Sequence, residues 1–120
     1  IRVEIEVLTA EAGTRCAGIT AASVALADAG IPMTDMVISV ASGKINGVVV
    51  CDLNKEEDNY GEADLPMGVC ANSGDLVFLQ MDGDLSPEEF QVAWDYNMGA
   101  IAPVHKIMIE ALERSNGGDE

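Results

Sequence analysis

The sequence predicts an α/β domain in which a mixed sheet packs against helices. Three observations carry this. Short apolar segments of period two alternate with two longer segments of period near 3.6. Turn residues, Gly, Asn, Asp and Pro, separate them. The 120 residues are 48% apolar, the share of an ordinary globular chain with room for one modest core.

The elements follow in order. Arg2 to Leu8 alternates Val3, Ile5 and Val7 with charged residues, the pattern of a half-buried strand. After Gly13-Thr14-Arg15, a small-residue helix is predicted from about Cys16 to Ala29. Its apolar face runs through Ile19, Ala22, Leu26 and Ala29. Gly30 and Pro32 end it. Met36 to Ala41 reads as a strand, and Asn46-Gly47 as a hairpin turn. Val48 to Leu53 follows, and within it Val48-Val49-Val50-Cys51 is apolar without alternation, which predicts a strand covered on both faces. Asn54 to Gly61 reads as an acidic loop. Glu62 to Cys70 alternates again, with Ala63, Leu65, Met67 and Val69 on one side and Glu62, Asp64 and Pro66 on the other. Asn72-Ser73-Gly74-Asp75 is a turn, and Leu76 to Met81 returns as a strand. Ser86-Pro87-Glu88-Glu89 places a capping serine, a first-position proline and a glutamate at the third helical position. The helix they open carries Phe90, Trp94, Met98, Ile101, Val104, Met108 and Leu112 on one face, and Pro103 is expected to kink it. Residues 115–120 are polar and expected to fray.

Composition bounds the function. The net charge is −15, with six basic residues, Arg2, Arg15, Lys44, Lys55, Lys106 and Arg114. Taken alone, this argues against a nucleic-acid-binding surface, which needs lysine and arginine against phosphate. Any RNA-directed function must place its basic surface on other residues or on a partner. No apolar run approaches the roughly 18–20 residues of a membrane span. Ile1 to Leu8 is not a signal peptide. The chain lacks a starting methionine and opens inside a strand pattern, as a piece of a longer protein would. Its three cysteines, Cys16, Cys51 and Cys70, are scattered among small and apolar residues. This predicts buried thiols and a reducing, cytoplasmic setting rather than disulfides or zinc.

Two places hold candidate chemistry. Gly13-Thr14-Arg15 lies between a strand pattern and a helix. Backbone N–H groups at a helix start can hold an anion, glycine admits close approach, threonine offers a hydroxyl or a cap, and arginine offers a planar fork. The dipole alone supplies about 0.3–1 kcal/mol, so arginine and direct amide contacts would carry the affinity. By pattern alone, the same residues describe a plain capped helix with a surface arginine. The second place is the acidic stretch Asp52 to Asp64. A solvated charge run is the simple reading, but Asp64 sits inside a strand pattern, where aspartate is disfavoured. An extended segment would put Asp58 and Asp64 on one face, and a bend at Gly61 would bring them together. Close carboxylates raise one pKa, or bind Mg²⁺ through hard oxygen ligands. His105 reads as structural, and the methionines and Trp94 as core.

The stretches Glu11 to Ser23, Ala25 to Pro32 and Asp52 to Asp64, in that order and spacing, resemble the ribonuclease PH family. The likeness is to the catalytic ring subunit of the archaeal exosome, over about Val3 to Arg114. The resemblance implies a ribonuclease PH fold, which is ribosomal protein S5 domain 2-like and present here in part. Residues 1–32 would end the first subdomain, 33–114 form the C-terminal subdomain and 115–120 the tail. It implies 3′→5′ phosphorolysis of RNA, with inorganic phosphate as co-substrate and nucleoside diphosphates as product. The family's phosphate-binding motif falls on Gly13, Thr14 and Arg15, and its catalytic aspartates on Asp58 and Asp64, which would also be the Mg²⁺ ligands. Some relatives carry lysine two residues after the second aspartate, where this chain has Pro66. Implied partners are RNA, a paralogous non-catalytic ring subunit, exosome cap subunits with RNA-binding domains, and the N-terminal half of the fold; no membrane partner is implied. A non-catalytic ring scaffold and a stand-alone enzyme trimming tRNA 3′ ends are the other readings; the presence of Arg15, Asp58 and Asp64 together favours catalysis.

Overall fold

In the computed structural model, which describes residues 1–117, Asn46 and Gly47 both take positive φ, 49° and 74°. This is the backbone a two-residue hairpin with the native strand twist requires. They join β1 (Val37–Ile45) to β2 (Val48–Cys51). β1 also pairs antiparallel with β3 (Ala63–Cys70) in a register that sets Ile38 opposite Val69, Val40 opposite Met67 and Gly43 opposite Asp64. β4 (Leu76–Leu79) continues the sheet in the order β2-β1-β3-β4, and the two-residue β5 (Asp82–Gly83) pairs with the start of β3. The described residues also form three helices, α1 (Thr14–Asp28), α2 (Lys55–Tyr60) and α3 (Pro87–Asn116).

The core lies between β1, β3 and α3. Ile38, Met67, Val69, Ile101 and Met108 form its buried centre, with Val24 of α1 and Trp94, Met98 and Val104 of α3 against it. α3 begins as its sequence predicts. Ser86 accepts from the Glu89 amide, Glu89 accepts from the Ser86 amide, and Pro87 opens the first turn. The helix runs unbroken past Pro103 to Asn116, through Ser115 and Asn116 of the stretch expected to fray; residues 118–120 lie outside the described residues.

α3 also carries a buried polar anchor. Asn97 accepts from the Ser42 hydroxyl (2.8 Å) and donates to the Leu65 carbonyl (2.9 Å), and Asn97 and Ser42 are both fully buried. Asn97→Leu would strip both partners in a fully buried site. It should cost about 1–3 kcal/mol, read as a lower urea midpoint with unchanged slope. A Ser42→Ala/Asn97→Leu pair should cost less than the sum of the two singles.

Five expectations are corrected. Arg2 to Leu8 forms no strand; it finds no ladder partner among the described residues, and Val3, Ile5 and Val7 remain about half exposed. β2 is an edge strand with Val48 58% exposed, not one covered on both faces. Cys51 at its end is exposed, so only Cys16 is a fully buried thiol; all three are free. Asn54 to Gly61 is not a loop: Asn54 caps α2 in a reciprocal box with Glu57, an N-x-x-E signature legible in the sequence. Finally, α1 buries Cys16, Gly18 and Ser23 rather than Ile19, Ala22, Leu26 and Ala29. The cause is the open edge of β1 beyond β2. There the Val37 amide donates to the Ser23 hydroxyl (2.9 Å), and the Ser39 amide donates to the Thr20 hydroxyl (3.0 Å). Small polar side chains of α1 thus satisfy edge groups that a neighbouring strand would otherwise pair.

Asp35 closes the far end of the sheet. Its carboxylate accepts from the amides of Met36 (2.8 Å), Asn72 (3.0 Å) and Ser73 (3.0 Å) and from Asn72 Nδ2 (2.9 Å). These bonds, the Ser73 amide foremost, hold its pKa below the ordinary aspartate value. A depressed folded pKa means the contribution is present above the unfolded value and lost as pH falls through the folded one. Asp35→Ala should therefore melt several degrees lower at pH 7, and the gap to the parent should close in acid.

Candidate functional site

α1 starts without a side-chain cap. Gly13 is its N-cap at φ 65°, ψ 14°, and the first turn contains no acidic residue. Thr14 is therefore the first helical residue rather than the cap, and the amides of Thr14, Arg15 and Cys16 are first-turn donors with no intrahelical acceptor. α2 and α3, in contrast, both carry capping boxes and first-turn acids. Ala12 precedes Gly13 at φ 78°, a strained conformation for a residue with a Cβ that costs about 1–2 kcal/mol. It bends the chain into α1.

Arg15 projects from this turn, and its guanidinium donates to the Gln80 side-chain oxygen. Among the described residues it forms no ion pair with a carboxylate. No carboxylate among the described residues lies within ion-pair distance of it, although four aspartates line the same cleft. That cleft, about 860 Å³, is lined by Gly13, Thr14 and Arg15 and also by Asp52, Asp58, Asp64 and Asp82. The five residues singled out in the sequence are brought together in one concavity.

Each acid reaches the cleft by a different route. Asp58 lies on α2, exposed to solvent, and Asp64 on β3, half-buried. Gly61, between them, ends α2 with φ −67° and ψ 152°; an added Cβ would sit 2.6 Å from the Glu57 carbonyl. The chain therefore turns at Gly61 and the two carboxylates share the cleft without forming one extended face. The environment separates them chemically. Burial pushes the Asp64 pKa above the ordinary aspartate value, the Asp58 and Asp82 charges add to this, and Arg15 and the Leu65 amide oppose it. Cys16, also at the cleft, has its thiol pKa raised, chiefly by burial. It is held as a thiol, unsuited to act as a nucleophile.

The sequence does not single out Asp52, Asp82 or Gln80 as members of this site. Asp82 stands opposite Asp64 in the β3–β5 ladder, a pairing that no local signal announces. Asp52 belongs to the acidic stretch, and its only special sign is structural, a φ of 61°. Among the described residues, Ala12 and Asp52 are two of the three non-glycine residues with positive φ, and both line the cleft. Strain collected at one concavity is characteristic of functional sites. Pro66 is buried at the cleft rather than turned outward, and its carbonyl accepts from the Gln80 amide (3.0 Å). His105 lies away from this cleft, beside Cys70 and the 72–74 turn.

Among the described residues, no three His, Cys, Asp or Glu side chains converge on a metal position. Asp58 and Asp64 still suit Mg²⁺, which is commonly held by one or two carboxylates, with water and substrate phosphate completing an octahedron. No helix of the described residues is long and apolar enough to cross a membrane.

Comparison with known proteins gives concordant results. Residues 35–95 match the 3′ exoribonuclease family, domain 2. The chain is 54% identical over 112 residues to the exosome complex component Rrp41 of Thermoplasma acidophilum, covering 93% of this chain and 45% of that protein. It is 57% identical over 113 residues to the same component of Pyrococcus horikoshii, covering 94% and 45%. The chain thus spans about half the length of the curated relatives it matches. Among solved structures, rice Rrp46 superposes with a TM-score of 0.78 at 21% identity, covering 86% of this chain and 49% of that one. Cell-death-related nuclease 5 of C. elegans superposes with a TM-score of 0.80 at 15% identity, covering 91% and 61%. At those identities the superpositions speak to the fold alone.

Proposed function

The chain belongs to the 3′ exoribonuclease family, of which it carries the second domain, and on that premise we propose that it supplies the phosphate-binding and acidic half of a phosphorolytic 3′→5′ exoribonuclease site. The observation that carries this reading is the single cleft bordered by Gly13-Thr14-Arg15 and by Asp58 and Asp64. An uncapped helix start and an arginine without a carboxylate partner suit an oxyanion. A half-buried aspartate with a raised pKa suits a proton donor.

In the proposed reaction, inorganic phosphate rests on the α1 amides and the Arg15 guanidinium. One of its oxygens attacks the phosphorus of the last RNA phosphodiester. The new P–O bond forms as the bond to the ribose 3′ oxygen breaks. Asp64, as the carboxylic acid, gives its proton to that leaving oxygen and is left as a carboxylate, which takes a proton back from solvent after the nucleoside diphosphate departs. Asp58 contributes the neighbouring negative charge that keeps Asp64 protonated further toward neutral pH. With Asp64 ionised instead, Asp58 and Asp64 would hold Mg²⁺, which would supply Lewis-acid stabilisation of developing negative charge in place of the Asp64 proton.

With a net charge of −15, the chain is a poor RNA-binding surface by itself. The proposal therefore places the basic grip on RNA in the first domain of the family fold and in partners. These are a non-catalytic paralogue within a hexameric ring and cap subunits, in the cytoplasm. The test is an assay of the full-length protein with its ring partner on a 3′-terminal oligoadenylate. Release of nucleoside diphosphates that requires phosphate supports the reading; monophosphates released without phosphate contradict it.

A further inference from the structure

We infer that Gln80 is a positioning residue for the anion site: it aims the Arg15 guanidinium into the cleft without neutralising it. The inference rests on the phosphate-binding reading of Arg15 and extends it to a residue in a different part of the fold. Gln80 lies between β4 and β5, 65 positions from Arg15, and its side-chain oxygen accepts from the Arg15 guanidinium. Its own backbone is fixed, because its amide donates to the Pro66 carbonyl of β3 at 3.0 Å. Two residues on, Asp82 pairs with Asp64. The segment that carries Gln80 is therefore laced to the same strand that carries the proposed acid, and Gln80 reaches from it to Arg15.

The choice of an amide has a physical meaning. Arg15 is exposed and long, and a free guanidinium would sample many rotamers that an anion must then freeze out. A carboxylate at position 80 would hold it as well or better but would cancel the charge an anion needs. A glutamine oxygen occupies one N–H of the fork, leaves the others free and contributes no charge. The cleft already contains Asp52, Asp58, Asp64 and Asp82, so one more acid beside Arg15 would make it hostile to phosphate. The neutral partner reconciles orientation with anion affinity.

The experiment titrates this chain with inorganic phosphate, following the Arg15 Nε–H and first-turn amide resonances by NMR, in the parent and in Gln80→Met, Gln80→Glu and Arg15→Ala. Methionine keeps the length of the side chain and removes the acceptor; glutamate keeps the acceptor and adds charge. The expected result is phosphate affinity about tenfold weaker in Gln80→Met, one hydrogen bond's effect on a charged group, and weaker still in Gln80→Glu. Thermal midpoints should be unchanged, because Gln80 is exposed. Gln80→Met should not weaken binding further when combined with Arg15→Ala, because it acts only through Arg15, whereas Gln80→Glu, which also adds charge to the cleft, should. A purely structural role would not rank glutamate below methionine. If Gln80→Met or Gln80→Glu binds phosphate as the parent does while Arg15→Ala is impaired, the role of Gln80 is overturned and the anion site stands. If Arg15→Ala itself binds phosphate like the parent, the phosphate-binding reading fails, and this inference with it.

Discussion

Asp64→Asn is expected to lower kcat for phosphorolysis by about 10²–10⁴-fold and to leave the fold intact. Asparagine keeps the shape and polarity of the side chain at the start of β3 but has no proton of suitable acidity to give the ribose oxygen. The fold, meanwhile, gains nothing from the ionised group. Burial and the charges of Asp58 and Asp82 raise the Asp64 pKa. The sign follows from linkage: a folded pKa above the unfolded one means that ionising Asp64 opposes folding, and stability falls as pH rises through the folded value. The variant should therefore melt no lower than the parent at pH 7. In the parent, the acid-dependent rate should decline as pH rises through that raised pKa, and Asp64→Asn should abolish this limb. Removing the Asp58 charge should shift the limb to lower pH, since Asp58 is the largest charge raising the pKa of Asp64.

Arg15→Ala is expected to raise the phosphate KM by roughly 10–100-fold, the range of about 1.5–3 kcal/mol for a hydrogen bond to a charged group. The uncapped α1 amides would remain, and the dipole they express is worth only about 0.3–1 kcal/mol. Residual binding should therefore be weak rather than absent. Arg15→Lys should recover part of the loss, because it restores the charge and not the fork. Phosphate titrations in steady-state kinetics, at fixed RNA, distinguish these outcomes. The same variant removes the cation that holds down the Asp64 pKa, so its acid limb should move to higher pH.

Much of this architecture is legible in local signals. Ser86, Pro87 and Glu89 announce α3, and Asn46-Gly47 announces the β1–β2 hairpin, because each depends on chemistry within a few residues. The N-x-x-E box at Asn54 is equally local and marks α2 inside what reads as an acidic loop. What stays hidden depends on distant neighbours. The Arg2 to Leu8 alternation has a strand's period but no described partner to pair with. Whether Val48 to Cys51 is central or at the edge is decided by sheet order, which periodicity does not encode. The inward face of α1 is chosen by unpaired β1 amides that need hydroxyls, so Thr20 and Ser23 prevail over Ile19 and Leu26. The same holds at the cleft. Arg15 and the Asp58–Asp64 pair stand out through residue type, spacing and family likeness. Asp82 and Gln80 enter only because β3 pairs with β5 and the end of β4, a register fixed by tertiary structure.

The measurement that bears most directly on the shared cleft is the titration of the Asp64 carboxyl carbon by NMR, with and without saturating inorganic phosphate. Phosphate seated at Arg15 adds negative charge to the cleft and masks the cation that opposes Asp64 protonation. The apparent Asp64 pKa should then rise on adding phosphate, and Arg15→Ala should remove that response. An Asp64 pKa indifferent to phosphate would contradict the account, since an anion bound in the same cleft could not leave this carboxylate unaffected.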